Sequence, residues 1–158
     1  MKVSTILVPL DGSTLAEAAL PVAVDLLAGR RGAVLLLVRV VDASLPGPEP
    51  ACAQHAMVRD ALEDLSAVAG RLTEFTGIIK QAVRYGLPAK SIVEAAEAES
   101  PDLIVMTAHG QSGLGDAALG SVTEAVLRGT RVPTLLVRDP AAPLDAWRDL
   151  RPAIQASI

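Results

Sequence analysis

The chain has one cysteine, Cys52, so no internal disulfide can support it, and a reducing, cytoplasmic setting is the expectation. Aromatic residues are scarce: one Trp, one Tyr and one Phe in 158 residues. A core of ordinary size must then be built from Val, Leu, Ile and Ala, and hydrophobic residues do reach 51%. Long apolar runs are missing too. None approaches the roughly 20 residues of a membrane span, and Met1-Lys2 leads straight into a strand-like run instead of a targeting leader, so no membrane association is expected. There is no basic excess, with 14 Lys and Arg against 18 Asp and Glu and a net charge of -4. A nucleic-acid surface is therefore not expected, because neutralising phosphates needs a basic field.

Several chemical signatures are absent as well. No Gly-Lys pair occurs, which excludes the P-loop pattern. The segment Val8-Pro9-Leu10-Asp11-Gly12-Ser13 holds one glycine, so the dinucleotide fingerprint after a first strand is missing. A phosphoacceptor domain needs an acceptor Asp after its third strand, where this chain has Tyr85-Gly86. Cys52 and His55 make one ligand pair, too few for a closed zinc site, which takes four.

What the sequence does contain is alternation. Val3 to Leu10 is rich in β-branched residues and predicts a strand ending near Pro9, and Asp11-Gly12-Ser13-Thr14 supplies turn and N-cap chemistry. Leu15, Ala18, Ala19, Val22 and Leu26 then fall at helical spacing, with a distortion expected at Pro21. Ala33 to Val41 predicts a buried strand interrupted only by Arg39, and Asp42 to Pro50 a proline-rich loop. From Cys52 to about Phe75 a long helix places Val58, Ala61, Leu62, Leu65, Val68 and Leu72 on one stripe, with Arg59, Asp60, Glu63 and Asp64 toward water. Ile78 to Tyr85 predicts a sheet-edge strand, and Pro88 opens the next helix. A strand at Leu103 to Met106, a helix from Ser121 to Arg128 and a strand at Val132 to Val137 follow, leaving 139–158 as a proline- and alanine-rich tail. The fold class expected is α/β: one domain over residues 1–138, with a five-stranded parallel open sheet and helices on both faces. Ligands of such sheets bind beyond the carboxyl ends of the strands. Three of those ends, Pro9-Leu10-Asp11, Val40-Val41-Asp42 and Met106-Thr107, are expected to share one crevice.

The working part of the chain is the stretch from Met106 to Glu124. Four glycines in the eleven residues Gly110 to Gly120 separate a buried strand from a helix start. Such a loop lets backbone N–H groups approach an anion, and a helix start adds donors and the positive end of its dipole. Ser121 three residues before Glu124 has the spacing of a capping box, which predicts Ser121 as the N-cap. His109 adjoins this loop as an exposed loop histidine, and Asp116, Glu124 and His109 are the titratable groups nearby.

Taken together, these residues resemble the nucleotide-binding branch of the universal stress protein family over about Val3 to Val137. The specific element is Gly-x-x-Gly, nine residues, then Gly-Ser or Gly-Thr; Gly110, the nine residues Gln111 to Leu119, and Gly120-Ser121 match it, while Thr107 stands in place of the first glycine and narrows the floor of the site. The resemblance implies a Rossmann-like fold of the adenine nucleotide alpha hydrolase type that binds ATP, with or without Mg2+. It implies that Pro9 and Asp11 meet the ribose or adenine and that the Val40 backbone meets the adenine edge. Met106 and Thr107 would form the floor, and Gly110, Gly120, Ser121, Val122 and Thr123 would hold ribose and phosphates. Family members commonly form homodimers through the last strand, here Val132 to Val137. Two function classes follow: a dimeric ATP-binding stress-response sensor or switch, or an interaction protein of the same fold that binds no nucleotide. Weak ATP hydrolysis is a third, for which the sequence offers no obvious base; no enzymatic role and no catalytic or metal-ligating residue is assigned.

Overall fold

The computed structural model describes residues 3–43, 51–108 and 119–138. The β-branched runs form five strands: β1 (Thr5–Leu10), β2 (Val34–Asp42), β3 (Ile78–Gly86), β4 (Leu103–Thr107) and β5 (Thr134–Val137). All pair in parallel, in the order β3-β2-β1-β4-β5. Between them run the helices α1 (Thr14–Glu17), α2 (Ala19–Leu27), α3 (Ala51–Arg71), α4 (Pro88–Glu99) and α5 (Ser121–Gly129). β3 is an edge strand, as its less apolar composition implied.

The period-two alternation of a strand sorts the core into two layers. Ile6, Val8, Leu35, Leu37 and Val105 pack with residues of α1, α2 and α3 on one face. Leu7, Leu36, Val38, Ile104 and Met106 pack with Ile92, Ala95 and Ala96 of α4 and Val126 of α5 on the other. Central strands buried on both faces explain why the sequence shows continuous aliphatic runs there rather than alternation. Ile6, Leu7 and Val8 are fully buried, and each such side chain stabilises the fold by roughly 1.5–3 kcal/mol.

Three local features depart from the sequence expectation. The helix expected from Leu15 to Leu26 divides at Ala18 into α1 and α2. Pro21 has no N–H to offer a preceding carbonyl and its ring crowds the turn before it, so the helix restarts where Pro21 falls in a first turn, which needs no donor. Leu15 and Leu62, each on a predicted buried stripe, are exposed. β5 starts at Thr134 instead of Val132; Pro133 cannot donate to a ladder, although its carbonyl accepts from the Ile104 N–H at 2.9 Å. α3 ends at Arg71, and Phe75 packs against the core beyond the helix.

Asp102 ties the chain's first strand to its fourth. Its carboxylate accepts from the Ser4 N–H at 2.8 Å, the Thr5 N–H at 2.9 Å and the Ser4 hydroxyl at 3.0 Å. Burial pushes this carboxyl up, but the three hydrogen bonds outweigh it and hold the group below the usual carboxylate range. The contact fixes β1 beside β4, where the chain, having built β2 and β3 on one side of β1, crosses to the other. This reversal is the switch point, the place in such sheets where a crevice lies beyond the carboxyl ends of the strands. Among the described residues no helix is long and apolar enough to cross a membrane.

Candidate functional site

At the carboxyl edge of the sheet lies a cavity of about 530 Å³. The ends of β1, β2 and β4 form its floor, the starts of α4 and α5 line it from one face of the sheet, and α3 lines it from the other. Pro9, Asp11, Val40, Met106, Thr107, Gly120, Ser121, Val122 and Thr123, each singled out from the sequence, all line it. Gly110 lies outside the described residues, as do His109, Asp116 and the tail 139–158.

The floor is shaped by strand length. β1 ends at Leu10, in register with Arg39, while β2 continues to Asp42. Beyond that pair β2 has no β1 residue beside it, and Val40 lines the cavity. Val40 is paired on its other side with Arg84 of β3. A peptide carbonyl beyond the last ladder pair can accept from the amino edge of a planar base.

The turn after β1 is held by its own side chains. Asp11 Oδ1 accepts from the Ser13 N–H at 2.8 Å and from the Ser13 hydroxyl at 2.6 Å. Ser13 Oγ in turn accepts from the Ala16 N–H at 3.1 Å, capping α1. Asp11 thus does the turn work its position suggested and also faces the cavity. Gly12 sits between them with φ +84°, a left-handed conformation that favours glycine.

The start of α5 corrects two expectations. Gly120, not Ser121, is the N-cap: its φ of -59° and ψ of 147° are non-helical, and Ser121 is already the first helical residue. No side chain caps this helix, and Glu124, instead of reaching back, pairs with Arg128 at 2.6 Å. The Gly120 N–H, expected to face an anion, donates to the Ala108 carbonyl at 2.9 Å. The first intrahelical bond runs from the Glu124 N–H to the Gly120 carbonyl at 2.9 Å, so the N–H groups of Ser121, Val122 and Thr123 precede the helical ladder and have no acceptor within it. Among the described residues of this loop and helix start, the backbone donors left for the cavity are therefore those of positions 121–123. Thr123 is buried, and its hydroxyl donates to the Thr107 carbonyl at 3.1 Å, anchoring the helix start on β4.

Further lining residues carry no motif in the sequence. Met57, Asp60, Ala61 and Asp64 of α3 line the cavity, with Pro88 and Ile92 of α4 and Arg39 and Asp42 of β2. Asp60 and Asp64 read as part of a solvated face, and Arg39 as a break in an apolar strand. The available signal was the spacing 57, 60, 61, 64, which puts these four on one flank of a helix. Four carboxylates, Asp11, Asp42, Asp60 and Asp64, meet one cation, Arg39, among the described lining residues. Among the described residues no group of three or more His, Cys, Asp or Glu is placed to hold a metal ion.

A parallel sheet with helices on both faces and a crevice at the switch point, bordered by a helix start, together define a doubly wound α/β protein. The profile of the universal stress protein family matches residues 2–138, and the chain belongs to that family. A universal stress protein of Methanocaldococcus jannaschii is 33% identical over 140 residues, which cover 85% of this chain and 82% of that protein. One of Mycobacterium tuberculosis is 34% identical over 137 residues, 84% of this chain; the chain spans 45% of that relative's length. The solved structure of a second Methanocaldococcus jannaschii family member has a TM-score of 0.75 at 26% identity, covering 88% of this chain and 98% of that one. A universal stress protein solved in complex with cAMP shares the fold, with a TM-score of 0.58 at 24% identity over 87% of this chain and 98% of that one.

Proposed function

We propose that the crevice binds an adenine nucleotide, ATP with or without Mg2+, and that the protein works as a dimeric stress-response sensor or switch. The observation that carries this is the convergence of Val40, Asp11 and the first turn of α5 on one cavity. In this reading the adenine edge pairs with the Val40 backbone, the ribose lies by Pro9 and Asp11, and phosphate oxygens accept from the Ser121, Val122 and Thr123 N–H groups. The positive end of the α5 dipole adds to the attraction. The cavity volume lies within the range of small-molecule sites, about 300–1,000 Å³. Mg2+ is held in such sites by one or two carboxylates plus substrate phosphates, not by a protein cage. A lining with Asp11 and Asp42 but no metal cluster among the described residues fits an ion that arrives with the nucleotide. When bound, it would neutralise phosphate charge. A universal stress protein of the same fold holds cAMP, which shares the adenosine and one phosphate of ATP.

Dimer formation is assigned to Val132–Val137. β5 lies at the sheet edge, where among the described residues no strand lies beside one row of its peptide groups. A second reading, that of a partner-binding protein without nucleotide, is favoured by Thr107, whose side chain is buried at the cavity floor where the family pattern has glycine. One experiment separates the two. Calorimetric titration with ATP and AMP, alongside mass spectrometry of any co-purifying small molecule, yields saturable binding in the first case. Absence of heat with either nucleotide up to millimolar concentration, in protein that is folded by circular dichroism, leaves the second.

A further inference from the structure

We propose that Arg39 is a specificity-determining residue: it exchanges a loose contact with Asp64 for the anionic group of the ligand, and so sets how much phosphate charge the cavity accepts. The proposal rests on the nucleotide reading above. The Arg39 side chain is 20% exposed, and it meets Asp64 at 4.0 Å, the outer limit of an ion pair, with the Asp64 side chain 64% exposed. A partner so distant and so well hydrated holds a guanidinium weakly.

The guanidinium reaches from β2 across the end of β1. A Cβ built on Gly12 would lie 2.1 Å from Nη1 and 2.7 Å from Nη2, so the fork occupies the space above that turn. It stands over the switch point, one strand from β4, on which the start of α5 is anchored. It is also the one cation among the described lining residues, against four aspartates, of which Asp60 is paired with Arg59 at 2.8 Å. A nucleotide bringing two or more negative charges into that lining is repelled unless its charge is met, and a guanidinium fork matches phosphate oxygens two at a time. Glycine at position 12 leaves the fork room to lie there and to swing. The rank of ligands by charge is thus a property of Arg39 and of its competition with Asp64.

The test is calorimetric titration of wild type, Arg39→Gln, Arg39→Lys and Asp64→Asn with adenosine, AMP and ATP, each variant checked by thermal melting. Arg39→Gln is expected to weaken AMP at least tenfold and ATP more, while adenosine stays within about threefold; Arg39→Lys recovers part of the loss; Asp64→Asn tightens the phosphorylated ligands two- to fivefold. Equal losses for adenosine, AMP and ATP, or no loss at all in Arg39→Gln, overturn the proposal and leave the nucleotide site standing. Failure of all three ligands to bind wild type overturns both.

Discussion

Two helices begin at the rim of the cavity, and they begin differently. α1 is closed by its own sequence: Asp11 fastens Ser13, and Ser13 caps the Ala16 N–H. α5 has no side-chain cap, and Gly120 spends its N–H on Ala108 and its carbonyl on Glu124. One helix start has internal partners for its donors, while the other presents the N–H groups of 121–123 to the cavity without a helical acceptor. The contrast separates a turn built for stability from one suited to an anion. It also assigns the phosphates of the proposed nucleotide to the space between the α5 start and the Arg39 guanidinium, and the base to the Val40 end of β2.

The largest expected effect probes the open start. Gly120→Leu, whose backbone angles suit any residue, is expected to weaken AMP or ATP by at least thirtyfold in calorimetry, about 2 kcal/mol. Its urea unfolding midpoint should stay close to wild type. The closed start responds in the opposite sense. Gly12→Ala strains a φ of +84° and displaces the Arg39 guanidinium, costing roughly 1–2 kcal/mol in urea unfolding. Ser13→Ala removes a working cap and is expected to cost about 1 kcal/mol.

Asp102→Asn tests whether stability and binding separate, because this carboxylate lies at the opposite end of β1 from the cavity. Its folded pKa is depressed. Its contribution is therefore complete above the unfolded carboxyl range and is lost as pH falls through the lower, folded value. The substitution should cost about 1 kcal/mol at neutral pH and flatten the acid limb of a stability profile, with nucleotide affinity unchanged. Smallest of all, Ser121→Ala should alter unfolding by less than about 0.5 kcal/mol, since its hydroxyl caps nothing. A loss near that of Ser13→Ala would reinstate the capping box.

The strands, their two-faced burial and the edge position of β3 were legible because aliphatic runs and their interruptions are local properties. Pro21 announced a distortion, but the place of the break depended on where the helix could restart. Ser121 was misplaced by one residue because a Ser-x-x-Glu spacing does not say which residue takes non-helical angles, and a glycine one position earlier did so. Arg39, Asp60 and Asp64 were unreadable for a different reason. Their place at the cavity follows from α3 packing across β2 and β3, an arrangement that no window of sequence contains. Asp102 capping the N–H groups of Ser4 and Thr5 is likewise a contact across nearly a hundred residues.

The most direct measurement is an amide proton–nitrogen NMR titration of the protein with AMP. The account predicts saturable shifts at Ser121, Val122 and Thr123, together with Val40, while the Ala16 amide stays in place on its serine cap. Movement of Ala16 and Ser13 with positions 121–123 stationary, or no movement anywhere at millimolar AMP, would contradict it.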